Sequence, residues 1–339
     1  MAERDYHDYP AWSYSKIAKY AKNGFAALAT LDARTEPTPS MIFGSLFDCM
    51  MTRGKDATKS EYAVFERSVP DAERKVLDRL AATSSAERFG DIANAEIAGA
   101  AEACQYYPKW GYDAKYKHLS EYSDYYEAKR SGKTLVSRDD WSDAFNMMMI
   151  FRNDPYLKEL FGTRSTETVE YLYQTQFVTD YTLPSGRVVP VKIMPDLLKI
   201  NHEDRTVQPV DLKTSADPAW NFKENFIRFA YYIQAKLYSD VIESVMANDE
   251  ELKSYTVLPY LFTDISRTDM VPVTYIYDQT SEAQADGFTF TSGEKTYSYK
   301  SWQTMLDEIL DYREAEAKVP SYISTEVPND ILNIIGTRQ

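Results

Sequence analysis

The run from Lys192 to Tyr238 constrains the fold more than any other part of the chain, because it sets acids and an amine in strand register. Residues 188–200 are rich in Val, Ile, Leu and Met, and residues 207–214 continue that habit. The polar turn Asn201-His202-Glu203-Asp204-Arg205 lies between them and predicts an antiparallel hairpin. Successive side chains point to opposite faces of a strand, so Val210 and Leu212 share one face and Asp211 and Lys213 the other. Asp196, on the neighbouring strand, is expected to approach the Asp211 face. Two carboxylates on adjacent strands suit a hard cation such as Mg2+, which takes oxygen ligands and keeps several waters. A lysine beside them can position or activate a metal-bound water, or offset charge growing on a phosphate. Asp217-Pro218 then opens a helix over 219–247, in which Gln234 and Tyr238 stand one turn apart beside an apolar line that includes Ile233, Leu237 and Val241.

The 339 residues suffice for one large or two ordinary domains. No run of about 18 apolar residues marks a membrane span, and the opening "MAERDYHDYPAW" carries no secretory signal. Cys49 and Cys104 make neither a disulfide framework nor a CxxC motif, so a reduced, cytoplasmic setting is expected. The formal charge of −14 opposes indiscriminate coating of nucleic acid, yet binding depends on local positive surface and not on the sum.

Upstream, the spacing predicts a helix over 13–31 with Ser13 or Ser15 as its cap, and a break at 35–40 that supplies a new cap at Ser40. The next helix, "MIFGSLFDCMM", is apolar nearly all round and should be buried. Asp48 is its exception, with Gly44 one turn earlier leaving room for close backbone approach. A carboxylate there is costly unless paired or metal-bound, so Asp48 is either a capping or ion-paired acid or a ligand. Residues 60–150 read as helical, and Ser137 with Asp140 forms a capping box before a helix whose methionines are core filler. Residues 167–182 read as one strand, followed by the turn Leu183–Gly186. Later strands are expected in "YTVLPYLFTDI" and "MVPVTYIYDQ", and a last helix in "WQTMLDEILDYREAE". The resulting division is a helical portion over 1–160 packed on a core over 161–325, then a tail over 326–339 marked by Pro328.

Other chemistries lack their residues. His7, His118 and His202 are scattered, and no zinc spacing, phosphate-binding GxxxxGK[ST] loop or G-x-S-x-G elbow is present. His202 is expected to be solvated in the hairpin turn, while Lys192, Lys199, Lys223 and Arg228 flank the core as phosphate contacts or as ordinary surface charges.

The arrangement "PD…DLK" followed by a helix with "QAKLY" resembles the PD-(D/E)XK nuclease superfamily, in the RecB-like and lambda-exonuclease-like branch. The likeness is nearest to phage RecE-type exonucleases (exodeoxyribonuclease eight) and covers roughly residues 10–320 in patches, including "PSMIFGSLFDCMM" and "TLVSRDDWSDAFNMMMIFRNDPYLKELF". It implies an α/β fold with a restriction-endonuclease-like core, a central mixed sheet flanked by helices and a helical N-terminal portion. Carried onto this chain, it makes Asp196 and Asp211 ligands of Mg2+ or Mn2+, with the Leu212 carbonyl a further one. Lys213 would orient the attacking water, and Gln234 and Tyr238 would support the site or contact the DNA backbone. Two departures stand out. Asp48 lies where the family has a histidine, and the family's glutamate before PD has no clear match. Glu170 is the nearest acid and Gln176 its rival, while the best spacing falls near Gln174 or Gln176. The resemblance implies 5′-to-3′ digestion of linear double-stranded DNA in a bacterial host cell, leaving 3′ single strands for a single-strand annealing protein in phage-type recombination. It also implies a ring-shaped homo-oligomer. The rival readings are a RecB-like endonuclease on branched or CRISPR-related DNA, and a catalytically degenerate DNA- or protein-binding module of the same fold.

Overall fold

A computed structural model describes residues 6, 8–33, 37–277, 287–292 and 295–318, so the expected tail over 326–339 lies outside the described residues. The helical N-terminal part comprises α1 (Tyr14–Asn23), α2 (Pro39–Thr52), α3 (Gly54–Glu61), β1 (Tyr62–Val64), α4 (Asp71–Thr83), α5 (Asn94–Ala103), α6 (Tyr112–Ser120), α7 (Ser123–Arg130), β2 (Thr134–Val136), α8 (Arg138–Asn153) and α9 (Pro155–Leu160). There follow β3 (Val169–Tyr173), β4 (Phe177–Thr182), β5 (Val188–Ile193), β6 (Leu197–Asn201), β7 (Thr206–Ser215), α10 (Phe222–Arg228) and α11 (Tyr231–Ala247). The chain continues through β8 (Thr256–Val257), β9 (Tyr260–Ser266), β10 (Pro272–Tyr277), β11 (Gly287–Ser292), β12 (Lys295–Lys300) and α12 (Trp302–Lys318). The result is an α/β fold with a mixed central sheet flanked by helices.

That sheet has six strands in the order β10-β9-β7-β6-β3, with β8 also on β7. The β6–β7 hairpin is antiparallel, pairing Leu197 with Val210, whereas β7 and β9 run parallel, pairing Lys213 with Asp264. Parallel neighbours need a crossover, and α10 with α11 supplies it. Each face of the sheet is covered. Leu197, Val210, Leu212 and Leu261 pack against Phe47 of α2 and Met147 and Phe151 of α8. Leu198, Ile200, Val207 and Phe262 pack against Ile233, Leu237 and Val241 of α11, with Ile17 of α1 and Trp302 of α12 in the same cluster. Fully buried aliphatic side chains of this kind each stabilise the fold by roughly 1.5–3 kcal/mol. A third, smaller core of Val76, Leu77, Leu80, Ile97, Leu119 and Tyr126 holds α4 to α7 together.

The N-terminal portion is stitched into the core. Trp12 donates its backbone N–H to Pro190 O at 2.9 Å and accepts from Lys192 N–H at 2.8 Å. Close approach also fixes α2, because a Cβ added at Gly44 would lie 3.3 Å from Thr214 Oγ1 of β7. The close neighbour at Gly44 is thus a side-chain hydroxyl and not the backbone approach expected there.

Several expected elements are subdivided. The strand over 167–182 is two strands in different sheets, since Gln174 adopts φ 48° and turns the chain between β3 and β4. The apolar run 188–200 breaks at Met194-Pro195-Asp196, so β5 pairs with β4 and β6 with β7. Proline withholds the N–H that a continuous ladder needs. The helix over 219–247 is a 3-10 turn at Ala219–Asn221, then α10 and α11, separated by Ala230 at φ 55°. The first helix shortens to α1 and continues as a 3-10 segment over Gly24–Thr30, and the side chain of neither Ser13 nor Ser15 caps it. Thr38, not Ser40, caps α2 by accepting from Met41 N–H at 3.3 Å. Residues 60–150 include the parallel pair β1–β2. Ser137 caps α8, its Oγ accepting from Asp140 N–H at 3.0 Å and donating to Asp140 Oδ2 at 2.8 Å. The Asp140 carboxylate thus bonds the cap's hydroxyl in place of its backbone N–H.

Candidate active site

β7 delivers Asp211 and Lys213 to the α11 side of the sheet, the face opposite Val210 and Leu212. Asp211 is 2% exposed, and its carboxylate pairs with the Lys213 ammonium. Its Oδ1 accepts from Gln234 Nε2 of α11 at 2.5 Å. Asp196 sits in the break before β6, where its Oδ2 accepts from the Leu212 backbone N–H at 2.7 Å. The two aspartates and the lysine therefore meet on neighbouring strands, with α11 laid over them.

Electrostatics tie the group together. Burial, followed by the charges of Asp211 and Asp48, pushes the Asp196 carboxyl well above the carboxylate range, against the pull of Lys213 and the Leu212 N–H. Burial alone would lower the Lys213 pKa. Asp211, Tyr231 and Asp196 outweigh it and hold the ammonium well above the usual lysine value. The Lys213 ammonium also lies over the Tyr231 ring at 4.7 Å from its centroid. Tyr238 is buried, and its hydroxyl is raised by that burial and by the fields of Tyr6 and Asp211. Its ring stands edge-on to Tyr260 at 6.1 Å.

Asp48 reaches the cluster from α2. Its carboxylate accepts from the amide of Gln174, whose backbone N–H donates to Asp196 O at 3.1 Å. Gln174 thus bridges Asp48 and the backbone of Asp196. Glu170 does not come to the site: it pairs with Ile200 in the β3–β6 register and faces His202 Nε2 at 3.8 Å. Gln176 has a buried Oε1 without a hydrogen-bond partner. His202 is half-buried and bonded at 3.0 Å to Tyr255 Oη, so it is not merely solvated. Lys192 is drawn inward, donating to the carbonyls of Tyr6 and Tyr9 at 2.8 and 2.9 Å. Lys199 faces Glu159 at 3.4 Å, while Lys223 and Arg228 are exposed on α10.

Asp264 of β9 is a site residue that the sequence pattern alone does not single out. It is cross-strand to Lys213 and 1% exposed. Its Oδ2 accepts from Ser215 Oγ at 3.0 Å, and its Oδ1 is buried without a hydrogen-bond partner. Burial raises its pKa to about 7 despite Ser215 and Lys213. The one signal it leaves in the sequence is a lone acid inside the apolar run "YLFTDI".

The donor chemistry fits a divalent cation. Among the described residues no three His, Cys, Asp or Glu side chains stand in metal-holding geometry; Lys213 pairs with Asp211 and Gln174 with Asp48. Mg2+ needs only one or two carboxylates and fills its remaining positions with water. Asp196 and Asp211 meet that need. No protein-family model and no curated protein matches the chain. No helix among the described residues is long and apolar enough to cross a membrane.

Proposed function

We propose that the chain is a metal-dependent deoxyribonuclease of the PD-(D/E)XK type. The observation that carries this reading is the cluster of buried Asp211 with half-buried Lys213 on β7 and half-buried Asp196 just before β6, backed by Gln234. Asp196 and Asp211 would hold Mg2+ or Mn2+, with the Leu212 carbonyl as a further ligand. The ion would supply charge stabilisation at the phosphate and acidify a water. Lys213 orients that water and offsets charge on the phosphate. Without a cation, the charges of Asp211 and Asp196 favour its ammonium form. Gln234 fixes the rotamer of Asp211, a supporting role that commonly matters 10–100-fold at metal sites. Tyr238 is buried on the same helix one turn beyond Gln234.

The substrate proposed is linear double-stranded DNA, digested 5′ to 3′ within a homo-oligomeric ring, with the 3′ strand passed to a single-strand annealing protein during phage-type recombination. Support for this finer reading is the likeness of the Pro195-Asp196, Asp211-Leu212-Lys213 and Gln234–Tyr238 motifs. End-labelled linear duplex, covalently closed circle and branched DNA, each incubated with Mg2+ and with chelator, test it. Metal-dependent loss of the linear DNA alone is expected. Cutting of the circle or branch replaces it with an endonuclease, and inertness with retained binding replaces it with a binding module.

A further inference from the structure

A cleft of about 820 Å3 opens where the small helical core meets the rest of the chain. Ile42 and Ser45 of α2 form one wall, and Arg74 and Asp78 of α4 with Lys129 of α7 form the other. Residues of β1 and β2 lie between these walls, with Phe65 beyond the end of β1.

Its charge runs against that of the chain. Arg67, Arg74, Lys129 and Lys133 line it with a single acid, Asp78, in a protein whose formal charge is −14. Asp78 is already engaged, accepting from Tyr125 Oη at 2.8 Å and facing Lys129 at 3.5 Å. Three of the cations are ion-paired at the rim, Arg67 with Asp124 at 3.7 Å, Arg74 with Asp71 at 2.6 Å and Lys129 with Asp78 at 3.5 Å. Their side chains are nevertheless 48%, 50% and 43% exposed. Surface pairs of this kind are weak, so a phosphate can take the place of the carboxylate. Half-buried Phe65 and Val69 add apolar surface beside them, and the Phe65 ring is steadied edge-on against Tyr125 at 5.4 Å. Concentrated positive charge beside aromatic and apolar surface is what binds a single strand, whose phosphates seek cations and whose unstacked bases seek apolar faces.

α2 links the cleft to the candidate active site. Ser45 precedes Asp48 by three residues on α2, about 5 Å along the helix, and side chains at that spacing are neighbours. We propose that this cleft holds a single-stranded stretch of nucleic acid, guiding it along α2 past Asp48. The strand's identity as DNA rests on the nuclease reading above, whereas the binding itself does not.

The test is fluorescence anisotropy of a labelled oligothymidylate with the full chain in chelator, so that no strand is cut. The double variant Arg67→Glu/Arg74→Glu is expected to bind about tenfold or more weakly, and its log–log salt dependence to flatten by roughly 0.7 for each phosphate that is no longer neutralised. Lys22→Glu/Lys253→Glu alters two exposed cations outside the cleft and should bind as the unaltered chain does. Should the charge reversal disturb folding, Arg67→Gln/Arg74→Gln serves instead, with a smaller loss expected. Equal affinity in the cleft and control variants overturns the proposal. So does displacement of the strand by polyglutamate as readily as by unlabelled oligonucleotide, which would mark a site for acidic polypeptide. A chain that binds through the cleft but cuts nothing keeps this inference and loses the proposed function. One that cuts DNA with cleft variants binding unchanged does the reverse.

Discussion

Asp196 is fastened to the backbone of the strand beside it, its Oδ2 accepting from the Leu212 N–H at 2.7 Å. That bond points one carboxylate from a chain break toward another on a continuous strand. A cation entering between Asp196 and Asp211 would relieve repulsion that burial has sharpened. Adding Mg2+ or Mn2+ should therefore raise the melting temperature of the intact protein by mass action. Asp196→Asn and Asp211→Asn should abolish the rise and lower any phosphodiester hydrolysis by about a thousandfold. Differential scanning fluorimetry across a metal titration reads the first effect and digestion of end-labelled DNA the second. A full thermal response in both variants would place the metal elsewhere.

Gln234 tests whether orientation matters apart from charge. Its amide bonds Asp211 Oδ1 at 2.5 Å from a fully packed helix. Gln234→Ala should lower activity about 10–100-fold, with the loss partly recovered at high metal concentration. Gln234→Glu should be worse, because it sets another carboxylate against Asp211. Initial rates against Mg2+ concentration separate the two.

Gly162 and Tyr171 meet with no slack between them. A Cβ added at Gly162 would lie 2.2 Å from a carbon of the Tyr171 ring, while Tyr171 Oη is bonded to Glu159 O at 2.9 Å. Gly162→Ala should destabilise the fold by about 1–3 kcal/mol, the usual range for overpacking. Combining it with Tyr171→Ala should cost less than the sum of the single changes, as coupled neighbours do. Urea denaturation of the four proteins measures this.

Asp264 predicts a pH effect of definite sign. Its folded pKa is raised from 3.8 to about 7, so between those values the folded state binds a proton that the unfolded state has released. Its contribution therefore weakens stability as pH rises through that window and leaves the full penalty above it. Asp264→Asn removes the penalty. Its melting temperature relative to the unaltered protein should climb by about 2–5 °C between acid and mildly alkaline pH. A difference that stays flat, or falls, would contradict the assignment.

The sequence by itself determined the alternation that places Asp211 and Lys213 on one face of a strand, the polar turn between β6 and β7, and the cap at Ser137. Each is a local rule acting over a few residues. Gly44 was legible for the same reason, as a missing side chain in an otherwise apolar helix, but the Thr214 hydroxyl that meets it was not. Tertiary structure decided the rest. Whether Asp48 meets Gln174, whether Glu170 stays at the far end of β3, and that Asp264 lies beside Lys213 depend on which strands become neighbours. That pairing follows from breaks at Gln174, Pro195 and Ala230, where a backbone dihedral or a missing N–H overrides the residue pattern. A cleft assembled from α2, α4, α7 and the ends of β1 and β2 has no signature in any one of them, because its charge exists only once distant segments pack together.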